Sequence, residues 1–446
     1  MKRIAPALLF LFLVPVFALA GNDAGSGSET GITPVGTSKV ENIKTGWNVG
    51  LIPAFNYNAE MGFMSGAIGQ VYNYGDGTIY PNYYNKFNVL ASIYSKGAKQ
   101  LSVDYDAKNL LPGKRMKAGF EFIDNPLGGF YGFNGAVSPY YADLDLRKSS
   151  DGSEGIAFYA NHQKRIGVNL DLQGGIMENL TWTGGLNYSY QEYSDVALKV
   201  FDGTETLFHQ YVETGLIPDE ELYGHRVELK GGIVIDSRDL ESNPARGLFA
   251  TATLTGGISH SFSTEASLLL TLDLRHYVPI VPSRLTFAYQ LAYKGLVAGS
   301  LPFYALPGFT IRGAFGNRIA GSGSGVAWAS ADLRWKLAGF RAFKQNFEVG
   351  LVGFADAGAV VQPYRLAEQR LLGNYSAAKT LDGTTSGPYR SVYDPDVATK
   401  ERVHASVGGG FFFSKNHNFI VAFELGRPLN PLDGSMGLLI NMGFSF

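Results

Sequence analysis

Three side chains set the chemistry this chain can do: Arg312, Asp332 and Asp356. In the alternating run ASADLRW, Ser330, Asp332, Arg334 and Lys336 share one face, opposite Leu333, Trp335 and Leu337. Asp356 falls in phase with Asn346 and Glu348. Arg312 lies in the long connection 297–325, which can reach well away from its ends. A guanidinium drawn out of water needs an anionic partner. Its planar fork suits two carboxylates better than an ammonium would, and Gly313 beside it lets the backbone turn tightly. This is charge pairing, not bond-making chemistry. The seven histidines (162, 209, 225, 260, 276, 404 and 417) form no HExxH or other metal spacing. AGSGSG at 320–325 has no following Lys-Ser/Thr to cradle a phosphate, and there is no G-x-S-x-G elbow. Asp219, Glu220 and Glu221 read as solvated loop acids. No enzyme, cofactor or metal site is expected.

The elements that must position these residues are strands. The last ten residues, GLLINMGFSF, alternate: Leu438, Ile440, Met442, Phe444 and Phe446 share one face and Leu439, Asn441, Gly443 and Ser445 the other. Such a strand, with one apolar face, crosses a bilayer as part of a closed barrel. Sixteen strands are predicted from Trp47 onward, at 48–58, 62–74, 85–95, 98–107, 114–124, 155–172, 180–193, 224–236, 247–259, 264–277, 284–296, 326–337, 346–356, 403–413, 417–426 and 437–446. In the tenth, Leu268, Leu270, Leu272 and Leu274 oppose Ser267, Thr271, Asp273 and Arg275. A sandwich core would not hold those charges; lipid outside and a wet lumen inside explain both faces. The longest connections (125–154, 194–223, 297–325 and 357–402) all follow odd-numbered strands. That matches an even-stranded barrel with long outer loops and short periplasmic turns. The fold class is therefore all-β, an antiparallel transmembrane barrel.

The amino-terminal residues agree with that destination. Met1-Lys2-Arg3, the apolar run Ile4 to Leu19 and the small-residue site Ala18-Leu19-Ala20 read as a signal peptide over 1–20. Residues 21–46 are rich in Gly, Ser and Thr and read as a flexible periplasmic lead-in. The barrel then takes 47–446. The chain has no cysteine, which excludes a lipoprotein anchor, disulfides and thiolate metal sites. Its net charge of −2 gives no reason to expect nucleic acid as a partner.

Four stretches carry a family resemblance: IRGAF (311–315), GFADAG (353–358), IDSRDLESNPARGLF (235–249) and the C-terminal strand ending on Phe446. Together they resemble the BamA/TamA superfamily, the bacterial surface antigen barrels. The resemblance implies a loop folded back into the lumen, its Arg-Gly pair at Arg312-Gly313 and its aromatic at Phe315, one position later than usual. It implies that Arg312 contacts acidic residues of the wall, among them the Phe-x-Asp pair Phe354 and Asp356, with Asp332 as a second acid. It further implies that Met442, Phe444 and Phe446 belong to a C-terminal signal read by the assembly machinery. Family members carry POTRA modules before the barrel; residues 21–46 are too few for one, so the chain looks like a POTRA-less member.

The function implied is insertion or translocation of polypeptides at the bacterial outer membrane, by templating strands at a weak seam without nucleotide or metal. The expected partners are outer-membrane lipid (lipopolysaccharide and phospholipid), polypeptide clients and periplasmic or lipoprotein accessory subunits. Pro53 marks either a weak pairing of the first strand with the last or a local bulge, because proline lacks the ladder donor. A passive small-solute pore is the alternative.

Overall fold

The computed structural model describes residues 31–34, 42–58, 62–138, 158–196, 206–261, 264–313, 319–371, 401–434 and 436–446. The expected signal peptide, 1–20, lies outside them. Sixteen long strands alternate in direction along the chain. The first eight are β1 (Trp47–Asn58), β2 (Gly62–Asn73), β3 (Asn85–Tyr94), β4 (Lys99–Leu111), β5 (Lys114–Gly129), β6 (Ala160–Met177), β7 (Leu180–Ser194) and β8 (Tyr223–Asp236). The second eight are β9 (Gly247–His260), β10 (Thr264–Val281), β11 (Leu285–Gly299), β12 (Gly325–Ala342), β13 (Gln345–Gln362), β14 (His404–Lys415), β15 (Phe419–Pro428) and β16 (Gly437–Met442). Each pairs antiparallel with the next, from β1–β2 through β15–β16. The sixth strand, expected at 155–172, is one unbroken strand starting at Ala160, so the parity of the outer loops holds.

Alternation decides which side of each strand meets which solvent. Leu186, Leu229, Leu254, Leu272, Leu291 and Leu351 all point outward and are exposed, while their neighbours in sequence turn to the lumen. Exposed apolar side chains recur on nearly every strand, from Val49 to Ile440. A soluble protein does not present a continuous apolar belt of this kind; a lipid-facing barrel wall does.

The ends of the barrel differ. At the long-loop end, Phe130, Phe133, Phe158, Phe208, Tyr211 and Phe303 bury one another in an apolar cap over the mouth. The cap includes the helix α1 (Leu207–Glu213), and Phe130 meets Phe208 and Tyr211 edge to face at 5.5 and 5.2 Å. Glu221, expected to be solvated, is instead buried here: it accepts from the Phe303 amide at 2.7 Å and pairs with Arg365 at 2.5 Å. The cap removes it from water and supplies the replacement partners, which loop composition does not reveal.

Two further corrections concern the termini. Within the lead-in read as flexible, Gly31–Pro34 forms a strand on the periplasmic end of β12, pairing Gly31 with Arg341 and Pro34 with Ala338. β12 runs past the start of β11, whose pairing begins at Leu285–Trp335. The overhanging backbone groups of β12 need a partner, and this segment supplies one. At the other terminus the strand expected over 437–446 stops at Met442. Gly443 takes φ +98° and donates its amide to Ile420 O at 3.0 Å. Phe446 is then buried against Tyr277 and Ala288, on the lumen side of the wall, instead of continuing the lipid-facing row of Leu438 and Ile440.

The seam follows from that turn. Among the described residues no ladder register joins β1 to β16. The base of β1 rests instead on the β14–β15 hairpin: Lys415 Nζ donates to Val49 O at 3.2 Å, and Gly50 lies against the Phe419 ring. Pro53 sits opposite Ala67 of β2 in a ladder with no register shift, so it marks no bulge on that side.

Candidate functional site

The connection between β11 and β12 folds back into the barrel. Its short hairpin, Gly308–Thr310 against Ile319–Ser322, is held by Phe309 and Ile311, both buried with Val326 and Val360 of the wall. That anchor delivers Arg312, which is 6% exposed.

Every nitrogen of the Arg312 guanidinium finds a carboxylate. Nε and Nη2 donate to Asp356 at 2.9 and 2.8 Å, as the paired fork of a bidentate contact. Nη2 also donates to Asp332 at 2.7 Å, and Nη1 to Glu424 at 2.9 Å. The Arg312 amide donates to Asp356 at 2.8 Å, so backbone and side chain are held together. The Phe354 ring lies under the guanidinium, 3.8 Å from its central carbon, where the ring quadrupole favours a cation. Gly313, at φ +91°, lets the chain press on β15: a Cβ there would lie 2.1 Å from the Gly426 carbonyl carbon. A Cβ on Gly426 would in turn lie 2.6 Å from Arg312 O.

The acids do not stop at Arg312. Asp332 also accepts from Arg334, at 3.1 Å from Nε and 2.9 Å from Nη2. Arg334 donates to Phe446 O at 3.0 Å and stacks on Phe444, its central carbon 4.0 Å from the ring centroid. Phe444 packs on Phe412 of β14 at 5.0 Å. Glu424 accepts from Asn441 Nδ2 of β16 at 2.8 Å. One buried network of two cations and three carboxylates thus joins the loop to the strand at the seam and to the residues after it. Such a network has no cheap intermediate state, because each ion removed leaves another unpaired out of water.

Of the residues singled out from sequence, the structure brings Arg312, Gly313, Asp332, Phe354 and Asp356 to one place. Phe315 lies outside the described residues. Phe444 and Phe446 join the same network from the far side, Met442 ends β16, and Pro53 stands apart on β1. Two participants went unread: Glu424 and Arg334 as a partner of the tail. Glu424 alternates with Phe423 and Leu425, so parity alone would have placed it in the lumen beside the other acids. A second buried cluster has no signature in the local sequence. His404 is fully buried between Asp433 (2.7 Å) and Glu401 (3.0 Å), and Arg402 pairs with Asp433 at 2.9 Å. It ties the top of β14 to the β15–β16 connection, residues that no local motif links.

A family model described as the Omp85 superfamily domain matches residues 94–415. The chain belongs to the Omp85 superfamily. Among solved structures it is similar to BamA from Haemophilus ducreyi lacking POTRA domains 1–3, at 14% identity and TM-score 0.49, covering 92% of this chain and 74% of that one. It is also similar to CdiB from Escherichia coli, at 10% identity and TM-score 0.50, covering 93% of this chain and 67% of that one. At that identity the likeness to CdiB speaks to the fold alone. No curated protein matches the sequence. The resemblance to BamA/TamA-type barrels is borne out, and this Omp85 barrel is an integral protein of the outer membrane. Its lumen-filling loop and its incomplete seam are features of one wall, β12 to β16, on which the acids of the network stand.

Proposed function

We propose that this Omp85 barrel assists insertion or translocation of polypeptides at the outer membrane, using the seam between β1 and β16 and no nucleotide or metal. The observation that carries this reading is the seam itself. β16 contributes only Gly437–Met442 to the sheet before the chain turns inward, and no described ladder closes it on β1. An edge strand with unpaired amides and carbonyls is a template for an incoming strand. Within this reading the Arg312 network holds the loop and the residues after β16 in place, so the edge stays available without the barrel collapsing. Outer-membrane lipid, polypeptide clients and accessory subunits are the partners it requires, and no catalytic step is involved.

The alternative, a passive solute pore, draws on the polar lumen, but the apolar cap over the outer mouth argues against free passage. A lock on the seam tests the first reading. Gly50→Cys with Phe419→Cys places two thiols where β1 touches β15 in a chain that otherwise has no cysteine. In liposomes, the oxidised double variant should fold client barrels poorly and recover on reduction. Equal client folding in both redox states would overturn the seam mechanism.

A further inference from the structure

The connection between β8 and β9, residues 237–246, is a short periplasmic turn by sequence, yet it does not stay at its own edge of the barrel. It is a rigid lobe. Asp239 Oδ1 accepts from the amides of Leu240 (2.9 Å), Ala245 (3.0 Å) and Arg246 (3.3 Å). Arg238 is fixed by Asp236, at 2.9 Å from Nε and 2.7 Å from Nη2. From that base the lobe reaches four other parts of the wall. Glu241 pairs with Arg115 at the foot of β5 (2.7 Å) and with Lys108 near the foot of β4 (2.8 Å). Ser242 donates to Asn418 in the β14–β15 turn at 2.6 Å. Asn243 donates to Glu348 near the foot of β13 at 3.3 Å. Contacts to β4, β5, β13 and the β14–β15 turn can be made together only by crossing the periplasmic mouth.

Behind the lobe is a cavity of about 740 Å³, away from the Arg312 network and walled by β3 to β10. Its lining is polar and close to charge balance, with six basic side chains (Lys86, Lys117 and Arg275 among them) against five acidic ones (Asp104, Asp106 and Asp171 among them). A smaller cavity of about 300 Å³ adjoins it at the mouth, and Glu241, Arg115 and Lys108 line both. The ion pairs of Glu241 therefore stand at the passage between the two.

We propose that residues 237–246 are a movable plug in the periplasmic mouth, and that release of the Glu241 pairs admits hydrophilic solutes of either charge to the chamber behind it. The pairs suit a latch because they are only partly shielded, with side-chain exposures of 17% for Arg115, 23% for Glu241 and 25% for Lys108. Ion pairs at that depth are screened by salt, unlike deeply buried ones. The balanced lining gives no preference for one sign of charge. The inference concerns access from the periplasmic side and stands whether or not polypeptides are the clients.

The absence of native cysteine makes the test direct. Thr251→Cys puts one thiol in the chamber wall. The purified full-length barrel is reacted with a neutral, membrane-impermeant, sugar-bearing thiol reagent, with folding checked by heat-dependent gel mobility. Labelling should be slow with Glu241 intact and about tenfold faster with Glu241→Gln, the scale that two partly exposed ion pairs carry. Salt at 1 M should accelerate it severalfold in the absence of any further change, by shortening the screening length to about 3 Å; this arm holds even if Glu241→Gln misfolds. Labelling that is already fast with Glu241 intact, or a rate unmoved by both the substitution and salt, overturns the plug.

Discussion

The two halves of the lumen solve the problem of an interior charge in opposite ways. On the β12–β16 side, Arg312 sits dry among Asp332, Asp356 and Glu424, with 6% of its side chain exposed and theirs between 0 and 4%. On the β3–β10 side, pairs such as Lys230–Asp171, at 2.7 Å, border a cavity and keep 34 and 21% exposure. Geometry is equally good in both; dielectric is not. A pair in water gains little because the separate ions are already solvated, whereas a buried ion has only its partners. The dry half can therefore lock a loop, and the wet half can only latch one.

The contrast is broken most severely by Arg312→Ala. It leaves three carboxylates facing one another with Arg334 as their remaining cation, and about 3–5 kcal/mol of loop docking should go, the scale of losing one member of a buried pair. Protease cleavage within 297–325 on the folded barrel reports it; unchanged protection would mean the network does not hold the loop. Asp356→Asn keeps the volume and removes the charge that faces the fork. About 1.5–3 kcal/mol is expected, the range for hydrogen bonds to charged groups, read as partial loss of the same protection. Gly426→Ala tests contact instead of charge. A methyl placed 2.6 Å from Arg312 O must displace the loop, at about 1–3 kcal/mol as in other overpacked sites, with the barrel's own heat-modifiable mobility retained. Lys230→Ala should cost less than about 1 kcal/mol, as exposed pairs do, and leave thermal unfolding nearly unmoved.

Acid provides the mildest probe. Burial alone would raise the Glu241 pKa, but Arg115 and Lys108 outweigh it and hold the carboxyl well below the ordinary carboxylate range. A depressed pKa contributes stability above the unfolded value, near 4.3, and loses it only as pH falls through the lower folded value. Expressed relative to a fully exposed thiol in the same buffer, which cancels the loss of reactive thiolate in acid, the labelling rate of Thr251→Cys should therefore be the same at pH 7.5 and pH 5. A relative rate that rises on acidification would show that Glu241 is not the group holding the plug.

Much of the barrel was legible because strand parity is local. A period of two sorts Asp332, Arg334, Glu348 and Asp356 to one side of the wall and Leu333, Trp335 and Leu351 to the other, with no knowledge of the partner strands. The same rule would have placed Glu424, had its strand been read for acids. Loop lengths then gave the orientation, because long and short connections alternate only if the strand count is right.

What sequence alone determined was the face of each side chain and the side of the membrane for each connection, since both follow from periodicity and order along the chain. Tertiary structure decided which charges meet: Arg312 with Glu424, 112 positions apart, Glu241 with Arg115 across the mouth, and the turn of Phe444 and Phe446 into the lumen. Those choices depend on the curvature of the sheet and on where backbone can approach backbone, as at Gly313 and Gly426. Neither quantity is written in any single stretch of the chain, because each is a distance between strands that only the folded barrel defines.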